Sequence, residues 1–208
     1  MDPRGFRADR GLSYKKLETI ARDHRGNLAP GVALDGALPC LRVIDRLDEM
    51  SVQTKHGPVQ LDFGVADLPV NVEGQTRYDA GANKIVVELS ERTYRALERD
   101  DPRARVTVGH EVGHAYLHAD LLLRWGMIPL HEVRLFRLTE PPHPHYLDTE
   151  WQANSFGITL LMPARGIMLL EKRLGRLSEQ DIQKAFGVSR EAARIRLAHY
   201  QQRKAELI

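Results

Sequence analysis

Five consecutive residues, His110-Glu111-Val112-Gly113-His114, have the types and spacing that could do chemistry. On a helix, positions i and i+4 share a face with Cβ atoms roughly 5–6 Å apart, so the two imidazoles can grip one Zn²⁺ ion. Zinc held by protein ligands with one position open lowers the pKa of water to about 7 and polarises a carbonyl. Glu111, next to the first histidine, is placed to take the proton and deliver it to a leaving amine. The plainer alternative is a pair of partly buried polar histidines. The metal is favoured because the five residues fall inside a stretch that reads as helix on other grounds, with Gly113 between them leaving room for a neighbouring helix.

A catalytic zinc needs a third protein ligand. The longer pattern His-Glu-x-x-His-x-x-Gly-x-x-His would require glycine at 117 and histidine at 120, where the chain has Leu117 and Asp120, so a metzincin is excluded. The remaining candidates are His118, Asp120, His131, His143, His145 and Glu150. His118 lies one turn beyond His114, where a ligand would have to bend back along the axis, so packing or a local hydrogen bond suits it better. Glu150 opens a helix on the face shared with Ala153, Asn154 and Gly157, which must turn inward. It could equally be a solvated acid favoured by the helix dipole, an effect of about 0.3–1 kcal/mol. For a donor to a developing oxyanion, Tyr116, His143, His145 and Tyr146 are available.

The elements that must position these groups follow from pattern and caps. Ser13 to His24 has helical spacing of Tyr14, Leu17, Ile20 and Ala21, and Pro39 can open a second helix carrying Leu41, Ile44 and Leu47. From Pro58 to Leu89 the pattern changes to short β-type runs, Val59 to Phe63, Val70 to Val72 and Lys84 to Leu89, with Asp79 to Asn83 as a hairpin loop. Ser90 caps a short helix through Leu97, and Asp101-Pro102 starts a long one reaching about Leu122. Its buried side is expected at Val106, Gly109, Gly113, Leu117 and Leu121. Arg124 to His145 is irregular, with a β-like Val133 to Phe136 and a Pro/His loop from Pro141 to His145. A further helix runs from near Asp148 to Pro163 with Ala153, Phe156, Gly157, Leu160 and Leu161 inward, and three short helices follow, starting at Ala164, Ser178 and Ser189.

With 208 residues, 42% of them hydrophobic and 28% charged, the chain can bury one substantial core without disulfides, and a lone cysteine, Cys40, excludes both an internal disulfide and a Cys-based zinc ribbon. Residues 1–10 lack an apolar h-region and no stretch approaches eighteen apolar residues, so a soluble, cytoplasmic protein that stays out of membranes is expected. The formal net charge of +2 is too small to imply a polyanion-binding surface. It is uneven, however: residues 164–208 hold ten Lys/Arg against five Asp/Glu. Ile182 to Ala193 reads as helix, Gly turn, helix, with Arg190, Arg194 and Arg196 on the last helix. The same pattern is a common structural corner, and the modest charge favours packing or partner docking over DNA binding.

Thr107-Val108-Gly109-His110-Glu111-Val112-Gly113-His114, led by Arg103-Ala104-Arg105, then Glu150-Trp151-Gln152-Ala153-Asn154-Ser155-Phe156-Gly157 and Leu160-Leu161-Met162-Pro163, resembles the ImmA/IrrE family of metallo-endopeptidases. The resemblance extends from about Val59 to the C-terminus. Here Val106 and Gly157 stand where the family usually has Phe and Ala, and 35 residues separate His114 from Glu150. It implies that Glu150 is the third ligand, a gluzincin arrangement. It also implies a protein substrate, commonly a helix-turn-helix transcriptional repressor encoded nearby, whose cleavage relieves repression. The expected fold is α+β: a minimal zincin over residues 1–163, with a small, mainly antiparallel sheet, followed by a basic helix-turn-helix-like subdomain over 164–208. The alternative is a DNA- or partner-binding regulator, or a toxin–antitoxin component, with a structural or vestigial metal; Glu111 speaks against that, since a structural site needs no general base.

Overall fold

The computed structural model describes residues 5–128 and 142–208. His131 and the β-like Val133 to Phe136 lie outside the described residues. The chain begins with helix α1 (Tyr14–Leu28), short α2 (Cys40–Asp45) and a 3-10 turn at Leu47–Glu49. Strands β1 (Ser51–Thr54), β2 (Gly57–Ala66), β3 (Gly74–Asp79) and β4 (Lys84–Ser90) follow, then α3 (Glu91–Leu97), α4 (Pro102–Leu117) and α5 (Ala119–Gly126). A 3-10 turn at His145–Leu147 leads into α6 (Thr149–Leu161), α7 (Ala164–Leu174), α8 (Glu179–Phe186) and α9 (Arg190–Leu207). The architecture is the expected α+β one, a small sheet with the helix that carries His110 and His114, followed by a helical part.

The starts of the helices are where the capping residues place them. Ser13, Ser90, Ser178 and Ser189 each accept a hydrogen bond from a backbone N–H in the first turn, and Asp101 accepts two ahead of Pro102. The ends differ from expectation in two places. The long helix does not continue to Leu122: it stops at His118, whose backbone (φ −121°, ψ 19°) is non-helical and serves as C-cap of α4 and N-cap of α5. The last helix, α9, is long rather than short, at 18 residues.

The sheet has the order β1-β2-β4-β3. β1 and β2 form an antiparallel hairpin, and so do β3 and β4, turning on Asp79, whose Oδ1 accepts from the N–H groups of Gly81 and Ala82. The hairpins join through a parallel pairing of β2 with β4, Leu61 opposite Ile85 and Phe63 opposite Val87. Ile85, Val87 and Leu89 are buried beneath α4. Val70 to Val72 is a turn rather than a strand, with Val70 89% exposed.

Against α4 lies α6, and where they cross no side chain separates the backbones. A Cβ on Gly157 would sit 2.6 Å from the carbonyl carbon of Gly109, and one on Gly113 would sit 3.0 Å from the carbonyl oxygen of Ala153. Thr149–Leu174 is long and apolar enough to cross a membrane by length and composition, but it is two helices broken at Met162-Pro163, and most of it is buried inside the protein.

One core runs through the chain from Leu12 to Leu207 and includes Ile182, Phe186, Val188, Leu197 and Tyr200 of the C-terminal helices. Pro163 marks the turn between α6 and α7, and residues on both sides of it belong to that core. Arg196 is 3% exposed: its Nε donates to the Met162 carbonyl (2.9 Å), and it pairs with Glu18 of α1. Glu18 also accepts from the Ala164 N–H (3.0 Å). Arg105 of α4 donates to the carbonyls of Leu38 (2.8 Å) and Phe186 (3.3 Å), beneath the left-handed Gly187 that turns α8 toward α9.

Candidate metal centre and its cleft

Three side chains from two helices converge. His110 and His114 project from one face of α4, as their spacing requires, and Glu150 from the first turn of α6. The imidazole Nε2 atoms are 3.0 Å apart, and Glu150 places one carboxylate oxygen 3.2 Å from His110 Nε2 and the other 3.4 Å from His114 Nε2. Among the described residues, these form the one group able to hold a metal ion, with ligand atoms all within 4.8 Å of one another. Two nitrogens about 2.0–2.1 Å from one tetrahedral ion sit about 3.3 Å apart. A triangle of this size, made of two imidazoles and a carboxylate and open on one side, fits a catalytic zinc.

The close glycine contacts explain how an acid 36 positions beyond His114 arrives with this accuracy. With Gly109 against Gly157 and Gly113 against Ala153, the distance between α4 and α6 is fixed by backbone, and Glu150 stands one side-chain length from the histidines.

Each imidazole is also held from behind. His110 Nδ1 lies 3.1 Å from Asn154 Oδ1, one turn after Glu150 on α6. His114 Nδ1 lies 3.1 Å from Nδ1 of His118, whose Nε2 lies 3.1 Å from Gln152 Oε1. The Gln152 amide nitrogen donates to the carbonyls of Arg10 (2.8 Å) and Tyr146 (2.7 Å). These carbonyls belong to two segments that run side by side: Ala8 and Leu12 donate backbone N–H bonds to Leu147 and Tyr146, and Thr149 donates to Phe6. Residues 6–12 thus form a strap across the entry to α6.

Glu111 is 6% exposed and faces β3, where the Thr76 hydroxyl lies 2.8 Å from its carboxylate and 2.9 Å from its backbone carbonyl. Burial pushes the Glu111 carboxyl up, outweighing the nearby histidines. For Glu150, burial acts upward, but His110 and His114 in their protonated forms, through hydrogen bonds and charge together, hold it well below the usual carboxylate range. Burial lowers His110, yet the Glu150 hydrogen bond and the charges of Glu111 and Glu150 bring it above its ordinary value. His118, 4% exposed, is pushed down to about 3, burial being the largest cause.

The triangle lies in a cleft of about 1400 Å³ whose walls include Val72, Glu73, Arg103, Thr107, His143, His145 and Trp151. Of the candidate oxyanion donors, His143 and His145 line it; His143 is buried near Asp148, and His145 is exposed and meets Trp151 edge-on at 4.9 Å. Tyr116 stacks on His24 away from the cleft, and Tyr146 is not among its lining residues. Of the other ligand candidates, Asp120 accepts from the Lys55 N–H, and His118 makes the buried local bonds anticipated for it. Thr76 and Gln152 carry no sequence signal for their roles: each is a single polar residue whose partner is remote in the chain.

Among curated proteins, none matches the chain. Residues 97–198 match a peptidase family model, the IrrE N-terminal-like domain. That segment contains all of α4 and α6, and with them His110, Glu111, His114 and Glu150, so residues 97–198 form a domain of the IrrE N-terminal-like peptidase family.

Proposed function

We propose that the chain is a zinc-dependent endopeptidase in which His110, His114 and Glu150 hold the ion and Glu111 is the general base. Its substrate on this reading is a cytoplasmic protein, a helix-turn-helix transcriptional repressor whose cleavage relieves repression. The observation that carries the enzymatic part is the triangle of 3.0, 3.2 and 3.4 Å between the three ligand groups, on the wall of a cleft large enough for a peptide segment. Zinc bound there would acidify a water and polarise the scissile carbonyl. Thr76 holds the Glu111 carboxylate against β3, and burial raises its proton affinity toward the range in which a base can both accept and return a proton near neutral pH. His145, exposed on the cleft wall, is the donor best placed to meet developing negative charge. The repressor rests on the family resemblance.

Packing, rather than DNA binding, is proposed for the C-terminal helices. Arg196 is buried against Glu18, and Arg190 and Arg194 pair with Glu179 and Glu191.

Metal analysis and a cleavage assay on any helix-turn-helix repressor found encoded beside this gene test the proposal together. His110→Ala, His114→Ala and Glu150→Ala should each lose zinc. Glu111→Gln should keep it while hydrolysis falls by about 10²–10⁴-fold. Full zinc retention by Glu150→Ala, or wild-type cleavage by Glu111→Gln, would overturn the assignment.

A further inference from the structure

We infer that His118 and Gln152 are positioning residues that fix which nitrogen of His114 carries its proton, and so present His114 Nε2 as a bare lone pair before any metal arrives. This rests on His114 being a metal ligand.

The inference starts at the far end of the chain of hydrogen bonds. One end of the Gln152 amide lies 2.8 and 2.7 Å from two backbone carbonyl oxygens, those of Arg10 and Tyr146. A carbonyl only accepts, so that end must be the NH₂ group and the other end must be the oxygen. The amide oxygen faces His118 Nε2 at 3.1 Å, and since it too only accepts, His118 Nε2 must carry a hydrogen. A neutral imidazole has one N–H, which leaves His118 Nδ1 as an acceptor. His118 Nδ1 is 3.1 Å from His114 Nδ1, so the hydrogen between them belongs to His114. Neutral His114 then has no hydrogen on Nε2, the atom facing His110 and Glu150. From Gln152 to His114 Nδ1 the opposite tautomer at any link would set two donors or two acceptors against each other in a buried place; His114 Nε2 meets the Glu150 carboxylate with a hydrogen only when His114 is itself protonated.

His110 is held differently. Its Nδ1 meets Asn154 Oδ1, an amide for which the described residues offer no second partner of the kind that orients Gln152. The proton position of His114 is therefore dictated by backbone carbonyls in the strap and in the turn before α6, two links away from the ligand. The break between α4 and α5 belongs to the same device. Ending α4 at His118 takes that residue's backbone out of the helix, with its side chain bonded to both His114 and Gln152.

Long-range ¹H–¹⁵N spectra of the histidine-labelled, metal-free full chain, recorded where histidines are neutral, read the tautomers without any variant. His118 should carry its proton on Nε2 and His114 on Nδ1. Zinc titration of variants supplies the second arm. His118→Leu should weaken zinc binding by roughly 10–100-fold. His118→Asn should restore much of it, since the Asn oxygen stands the same number of bonds from the backbone as Nδ1 and can accept from His114. A folded wild-type chain with His118 protonated on Nδ1 would overturn the inference, and so would zinc binding in His118→Leu equal to wild type. A chain that shows the expected tautomers but takes up no zinc would overturn the metal assignment while supporting the tautomer lock.

Discussion

Two helix contacts in this molecule solve opposite problems. Where α4 crosses α6, both helices are regular, their backbone groups are satisfied internally, and their relative position is set by shape: Gly109, Gly113 and Gly157 remove the side chains that would hold them apart. Where α9 meets α1 and the turn between α6 and α7, the chain is broken, and a carbonyl and an N–H in the interior need partners. There position is set by charge. Arg196 takes the Met162 carbonyl, Glu18 takes the Ala164 N–H, and the two side chains pair with each other. The metal triangle is built on the first kind of contact, whose geometry depends on no titrating group. The attachment of the C-terminal helices depends on the second.

The largest effect should come from breaking the charged contact. Arg196→Met leaves Glu18 unpaired and the Met162 carbonyl unsatisfied in the interior, which costs about 3–5 kcal/mol. In a protein of this size that corresponds to a melting temperature lower by roughly 6–20 °C. Zinc affinity measured below the transition should not change; a parallel loss would mean that the two contacts are not separate. Gly157→Ala attacks the other contact. Overpacking costs about 1–3 kcal/mol, partly offset by the roughly 1 kcal/mol by which alanine favours helix over glycine. Here stability should change little while zinc binding weakens, because Glu150 moves relative to His110 and His114. Unchanged zinc affinity would show that the carboxylate tolerates a wider helix spacing than the backbone contact implies.

The pH dependence of zinc uptake comes next. In the metal-free chain the His110 proton is retained above its ordinary pKa, because its bond to Glu150, the charges of Glu111 and Glu150 and its bond to Asn154 together outweigh burial. Binding must expel that proton, so apparent affinity should fall as pH drops. The fall should begin above the usual imidazole value of about 6.5 and approach about tenfold per pH unit for each proton displaced. Isothermal titration in two buffers of different ionisation enthalpy would count those protons. A pH-independent affinity from 8 to 6 would mean that Glu150 does not hold a proton on His110. The smallest effect is expected from Arg190→Ala and Arg194→Ala, whose ion pairs are exposed: the melting temperature should stay essentially at the wild-type value. If the chain nevertheless bound DNA with a salt slope that these variants reduced by about 0.9 per lost phosphate contact, the C-terminal helices would be a reader rather than a packing element.

Much of this was legible in the sequence, and what was not has a common cause. Local signals carried through: the caps at Ser13, Ser90, Asp101, Ser178 and Ser189 start helices as read, and the histidine pair meets because its spacing is helical. β1 gives no such signal, because its four residues are too few to show alternation. The parallel pairing of β2 with β4 joins two hairpins and leaves no mark in either. Arg25, Arg105 and Arg196 are buried against backbone carbonyls, yet by type they read as surface residues. The α4 helix was extended to Leu122 because its apolar spacing continues past His118; the buried bonds of that side chain accompany the break. Glu150 stood out among six ligand candidates only through the family resemblance, since no local rule connects it to residues on another helix.

The pairing of Glu18 with Arg196 spans 178 positions, and this has a consequence during synthesis. At 5–20 residues per second, roughly 10–35 s separate the two residues as the chain leaves the ribosome. Until Arg196 arrives, the buried acid of α1 has only the Ala164 N–H to pair with once that residue is made, and the Met162 carbonyl in the turn between α6 and α7 lacks its partner. The zinc motif is translated well before that interval ends, but the scaffold around it is not closed. A nascent chain stalled between Pro163 and Arg196 therefore carries every residue of the metal triangle without the lock that completes the fold.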